Sequence, residues 1–102
     1  MPDAKCSKAA ERDLIQIWLY IAQDDSDAAD SVIDFLYDQF ATLATMPTMG
    51  RIRRDLWPEA MCFITFKPRW RSRFLVFYQT VPGGIEVARV IESHRDLSAL
   101  DL

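Results

Sequence analysis

The stretch FLVFYQTVPGGIEVARVI, residues 74–91, decides how the chain folds. Residues 74–80 and 85–91 are dominated by β-branched and aromatic side chains, the composition of strands. Between them, Pro82 presets φ and Gly83 supplies the positive φ of a type II turn, so the two runs form an antiparallel hairpin. The first run is apolar in both phases, as expected for a central strand covered on at least one side. In the second, Arg89 falls in phase with Ile85, Val87 and Ile91, and an arginine on such a face needs an acidic partner or a groove. Glu86 and Glu92 lie in the opposite phase and do not supply that partner.

Moving outward toward the N-terminus, residues 61–66 (MCFITF) read as a third strand, which places KPRWRSR, residues 67–73, at the tip of a second hairpin. Cations at strand ends are readily solvated and discourage edge-to-edge aggregation, which by itself accounts for Lys67, Arg69, Arg71 and Arg73. It accounts less well for Trp70, whose large ring is to be buried against the sheet or against a partner. Ahead of the strands, Ser7 can cap a helix with the apolar stripe Ala10, Leu14, Ile17, Trp18 and Ile21. Ser26 can cap a second helix with the stripe Ala29, Ile33, Leu36, Phe40 and Leu43, and Asp27 and Asp30 oppose the positive end of its dipole. Pro47 and Gly50 end that helix, since proline cannot sit in a helix interior and glycine tolerates the unusual dihedrals of a chain reversal. The short link between the helices makes them an antiparallel hairpin. The aromatic residues Trp18, Tyr20, Tyr37 and Phe40 are read as packing, as is Tyr78.

With 102 residues, half of them apolar, the chain is read as a single domain, 1–102. The expected fold class is α+β: a two-helix antiparallel hairpin on a small antiparallel sheet of three main strands, with residues 1–6 a weak candidate for a fourth, short N-terminal strand. Cys6 and Cys62 are far apart and share the chain with one histidine, so neither a zinc site nor a disulfide framework is suggested. No glycine-rich phosphate loop stands out, and no cofactor or metal is expected. No apolar run approaches the roughly 18 residues of a membrane span, and the expected setting is a reducing cytoplasm. The net charge of −3 conceals an asymmetry: residues 1–50 hold three Lys/Arg against nine Asp/Glu, while residues 51–102 hold nine against six. An acidic half and a basic half allow one face to meet an anionic partner.

Four segments occur in an order that resembles a known family: Ala9-Ala10-Glu11-Arg12-Asp13-Leu14-x-x-Ile17-Trp18-x-Tyr20-Ile21-Ala22, Pro47-x-x-Gly50-Arg51-x-Arg53-x-Asp55-Leu56, Leu75-Val76-Phe77-Tyr78, and residues 84–91 running into Arg95-Asp96-Leu97. Together they resemble the RelE/ParE superfamily of toxin–antitoxin toxins, and its ParE or plasmid stabilisation branch most closely. The resemblance implies a bacterial toxin of a type II system, neutralised by a cognate antitoxin. ParE-like members poison DNA gyrase, whereas RelE-like members cleave messenger RNA on the ribosome. The leading expectation is therefore a toxin that inhibits by binding a topoisomerase such as gyrase rather than an enzyme. The alternatives are a metal-independent endoribonuclease, or a non-toxic relative that survives as a partner-binding module.

Metal-free RNA cleavage needs groups that activate the 2′-hydroxyl, stabilise a charged phosphorane and protonate the leaving oxygen. The candidates for those roles are Arg51, Arg53, Arg89, His94 and Arg95. After Asp96 the chain has no tyrosine of the kind RelE-like toxins commonly use, and His94 is read either as a proton-transfer group or as a surface or capping residue. For binding a target or an antitoxin, the candidates are Arg51, Arg53, Arg54, Lys67, Arg69, Trp70, Arg71, Arg73, Arg89 and Arg95, with direct nucleic-acid contact open to them. Guanidinium groups hold carboxylate and phosphate oxygens alike in bidentate geometry. The bland alternative for Arg51, Arg53 and Arg54 is a solvated loop beyond the second helix, with Asp55 pairing one of them.

Overall fold

A computed structural model describes residues 2–52, 61–67 and 72–93. The chain runs β1 (Asp3–Cys6), α1 (Lys8–Ala22), α2 (Ser26–Thr45), one 3₁₀ turn (Pro47–Met49), β2 (Arg51–Ile52), β3 (Met61–Lys67), β4 (Ser72–Val81) and β5 (Gly84–Ser93). The strands form one mixed sheet in the order β1-β5-β4-β3-β2. β1 joins β5 in parallel, and every other pairing is antiparallel. The expected α+β arrangement of a helical hairpin on a small sheet is thus present. The short N-terminal strand is present too, and a two-residue edge strand, β2, extends the other side.

The helices begin where side chains accept from free amides. Ser7 Oγ accepts the Ala10 N–H at 3.1 Å, as expected. The second cap falls one residue earlier than the sequence suggested: Asp25, not Ser26, accepts the Ala28 N–H at 3.1 Å. Adjacent Ser and Asp are equally good caps, so the pattern alone did not separate them. On α2 the buried residues are Ala29, Val32, Leu36, Phe40, Leu43 and Ala44, whereas Ile33 is half-buried. The stripe therefore turns through Val32 rather than Ile33. On α1 the buried stripe is Ala10, Leu14, Ile17 and Ile21, with Trp18 half-buried at its margin and its Nε1 donating to Asp30 on α2 at 2.8 Å. Phe40 is core and meets Tyr37 edge-on, but Tyr20 is exposed and packs in no core.

β4 is central and buried on both faces. Phe74, Val76 and Tyr78 face the helices, and Leu75 and Phe77 in the other phase are buried as well. The β4–β5 turn has Gly83 at φ 86°, as the type II reading requires. Gly84 serves a different need. A side chain there would collide with the backbone of Asp3, so glycine lets β1 approach β5.

One irregularity controls the far half of β5. Phe77 pairs with Arg89 but Tyr78 pairs with Val87, so Ala88 is an extra residue, a β-bulge. Val87 and Val90 consequently both join the core under the helices, while Ile91 is half-buried. The strict alternation that had grouped Arg89 with Ile85, Val87 and Ile91 is broken between Val87 and Arg89.

Candidate interaction surface

Arg51, Arg73 and Arg89 are the candidate residues whose side chains are described. Arg53, Arg54, Arg69, Trp70, Arg71, His94 and Arg95 lie outside the described residues, and for Lys67 the structure gives the backbone pairing with Ser72 that closes the β3–β4 hairpin.

Arg51 is placed by a buried hydroxyl. Tyr78, fully buried in β4, carries its hydroxyl to the end of the 3₁₀ turn, where it donates to the Pro47 carbonyl and accepts the Gly50 N–H at 3.0 Å. Gly50 has φ −78° and ψ 173°, open to any residue, so it is not glycine for its dihedrals as the sequence reading supposed. It is glycine because a Cβ would run into the Tyr78 hydroxyl and lie 2.8 and 2.9 Å from ring carbons Cε1 and Cζ. This contact fixes where α2 hands over to β2, and so where Arg51 and the following loop start.

From there the ladder is continuous. Arg51 pairs with Cys62, Cys62 with Phe77, and Phe77 with Arg89. Directly paired residues share a sheet face, so Arg51 belongs to the face of Leu75 and Phe77, away from the helices. Arg73 shares that phase at the start of β4, and both arginines are exposed. On the opposite layer, Glu11, Asp27, Asp30, Asp34 and Asp38 project from the helices and are exposed. Arg51 and Arg73 therefore stand across the sheet from these helical carboxylates.

Arg89 is different. Its Nε and Nη2 donate to the two carboxylate oxygens of Asp13 on α1, at 2.7 and 3.1 Å. That bond, followed by the nearby negative charge, outweighs partial burial and raises the guanidinium pKa above its ordinary value. Asp13 also accepts the Val90 N–H at 2.9 Å, and Ser7 donates its hydroxyl to the Ala88 carbonyl at 2.8 Å. The start of α1 thus seals the edge of β5 beyond the end of β1, just where the bulge turns Arg89 toward it. Sequence reasoning missed Asp13 because the partner lies 76 residues away and the bulge, which sets the phase, has no residue signature here. Arg51 and Arg89 share a row but stand three strand spacings apart, about 14 Å, and with Arg89 held by Asp13 they do not converge.

A second feature lies between the helices, an open apolar groove lined by Glu11, Leu14, Ile15, Trp18, Ile33 and Tyr37. Ile15 and Tyr37 are more than half exposed, as is Leu19 nearby. At one end of this region, burial and then the Glu11 carboxylate raise the pKa of the Cys6 thiol, and burial raises that of Tyr37. Among the described residues no cluster of metal-ligating side chains occurs, and no helix is long and apolar enough to cross a membrane.

A family model described as ParE toxin of type II toxin-antitoxin system, parDE, matches residues 4–97. The chain belongs to the ParE toxin family. It is accordingly a type II toxin–antitoxin toxin, with an antitoxin as the partner such systems imply. No curated protein matches it.

Proposed function

We propose that this ParE-family toxin acts by binding rather than by catalysis, and that it poisons a DNA topoisomerase such as gyrase. The observation that carries the reading is a pair of exposed arginines standing across the sheet from the helical carboxylates on a ParE-family scaffold. Arg51 and Arg73 are exposed on a sheet face well separated from the acidic helices. Such a field steers and orients an anionic partner without any group having to change protonation. Arg53, Arg54, Lys67, Arg69, Trp70, Arg71 and Arg95 extend the same cationic set in sequence, with Trp70 as an anchor of the type that dominates interfaces. Arg89 contributes through the fold, since its guanidinium is committed to Asp13.

The antitoxin is assigned to the acidic, apolar side. Its segment would carry apolar side chains for Ile15, Leu19 and Tyr37 and cations for Glu11 and the α2 aspartates. The test is inhibition of gyrase supercoiling and accumulation of cleaved DNA by the purified toxin, compared with Arg51→Glu and Arg73→Glu. Loss of inhibition at unchanged folding is expected from both. A toxin inert toward gyrase that arrests translation by cutting messenger RNA would replace this reading with the ribonuclease one.

A further inference from the structure

Among the described residues, nothing pairs with the outer edge of β1. Asp3, Ala4 and Lys5 are exposed, and no described strand pairs with that side. The hydrogen bonds of β1 show which groups face outward. Asp3 N–H donates to the Gly83 carbonyl at 2.8 Å and Ser7 N–H to the Val87 carbonyl at 2.9 Å. Odd-numbered residues therefore turn their peptide groups toward β5, and Ala4 and Cys6 turn theirs outward. Side chains alternate in the same register. Cys6 packs against the core under the helices, so Asp3 and Lys5 belong to the other face of the sheet.

We propose that this edge pairs with β1 of a second copy of the chain, antiparallel about a two-fold axis through Ala4. Edge pairing of identical strands keeps side chains on consistent faces only if one residue meets its own copy on the axis, which leaves four registers. Centring on Asp3 opposes two carboxylates, and centring on Lys5 opposes two ammonium groups, both unfavourable at cross-strand distance. Centring on Cys6 carries the pairing into Lys8, where α1 has begun. Centring on Ala4 uses the whole strand and sets Asp3 of each copy opposite Lys5 of the other.

Hydrogen bonding agrees with that register. Ala4 exchanges both peptide bonds with its copy, and Cys6 N–H reaches the Pro2 carbonyl, while Pro2, lacking an N–H, ends the ladder. Inside each subunit Lys5 already stands beside Glu86 in the β1–β5 register. The row therefore reads Glu86, Lys5 and then Asp3 of the second copy, alternating in sign across the junction. Two such rows, related by the axis, flank the Ala4 pair. The strand has four residues, so the contact buries less than a standard interface and the dimer is weak, populated at high protein concentration.

Sedimentation velocity of the full chain over a wide concentration range, with reductant present to prevent a Cys6 disulfide, tests this. A reversible monomer–dimer equilibrium is expected. Asp3→Lys and Lys5→Asp should each weaken it about tenfold, because two favourable pairs become two repulsive ones. An equimolar mixture of the two variants should dimerise more strongly than either alone, since one edge then carries two cations and the other two carboxylates. Circular dichroism checks that both variants remain folded. A chain that stays monomeric throughout, or a dimer indifferent to both substitutions and to their mixing, overturns the proposal. So does a monomeric chain whose antitoxin complex is weakened by the same substitutions, which would give this edge to the antitoxin.

Discussion

Replacing Tyr78 by phenylalanine removes one oxygen atom from a side chain with no exposed surface. The ring stays, so the packing of β4 under the helices is conserved, and among the described residues the loss is of two hydrogen bonds. Those are the bond donated to the Pro47 carbonyl and the bond accepted from the buried Gly50 N–H. An orphaned buried donor or acceptor costs about 1–3 kcal/mol. The Pro47 carbonyl lies nearer solvent, so we expect about 2 kcal/mol in all, or a fall in Tm of roughly 10 °C for a chain of this size. Urea denaturation followed by circular dichroism measures it. Gly50→Ala supplies the second arm of a double-mutant cycle. The Gly50 dihedrals suit alanine, so any penalty arises from the new methyl meeting the Tyr78 hydroxyl and ring. Removing the hydroxyl opens the tightest of those contacts. Gly50→Ala should therefore cost less in the Tyr78→Phe background, with a coupling of about 1 kcal/mol. Additive effects, or a Tyr78→Phe cost below about 0.5 kcal/mol, would refute the view that this hydroxyl fixes the entry to β2.

Asp13→Ala should destabilise more than Arg89→Ala in the same assay. The first strands the Val90 N–H as well as the guanidinium, about 2–3 kcal/mol, whereas the second removes a pair whose arginine is 43% exposed, about 1 kcal/mol after solvent screening. The reverse order would refute the role given to Asp13. Gly84→Ala drives a Cβ into the Asp3 backbone and should detach β1 at a cost of about 2 kcal/mol or more. Faster hydrogen exchange at the Asp3 and Ser7 amides would report it, and unchanged protection would count against the close approach. Folding raises the Cys6 pKa, mainly by burial, so the folded state disfavours the thiolate. The resulting contribution is complete below the ordinary thiol range and is lost as pH rises through the folded value. In a Cys62→Ser chain, alkylation at pH 8 should be slower than for an unperturbed thiol, and an equal or faster rate would contradict the assignment.

The helices and the β4–β5 hairpin were legible because each carries a local pattern that one neighbourhood of the chain satisfies alone. Ser7 with its stripe and Pro82-Gly83 between two apolar runs need no distant partner to be read. Features that join distant segments were not legible. Gly50 looked like a turn glycine, but its reason is a tyrosine 28 residues further on. The two residues of β2 are too short to show alternation, and β1 is stabilised by the edge of β5 and by Gly84 rather than by its own composition. The loss of phase at Ala88 is a property of the pairing between strands, which composition does not encode.

The arginines show why a residue's function here depends on its surroundings more than on its identity. Arg51 and Arg89 occupy the same row of the sheet, and both stood in the candidate list for the same chemistry. Their difference is made by Asp13. A carboxylate that already accepts the Val90 N–H is anchored, so Arg89 meets a preorganised partner and gives up little entropy in closing a bidentate pair. Freeing it for an external phosphate or carboxylate would leave Asp13 with an unmatched charge beside the sheet edge, so an incoming anion must first overcome that attraction. Among the described residues Arg51 has no bidentate partner to compete for it on its two-residue edge strand, and it keeps its solvent-exposed reach. A target that binds through arginine should therefore lose affinity strongly with Arg51→Ala at constant stability. Arg89→Ala should change stability first, with affinity following only as far as the folded population falls. Affinity measured well below the unfolding transition separates the two, and a direct loss from Arg89→Ala in a fully folded protein would show that the Asp13 bond is surrendered on binding.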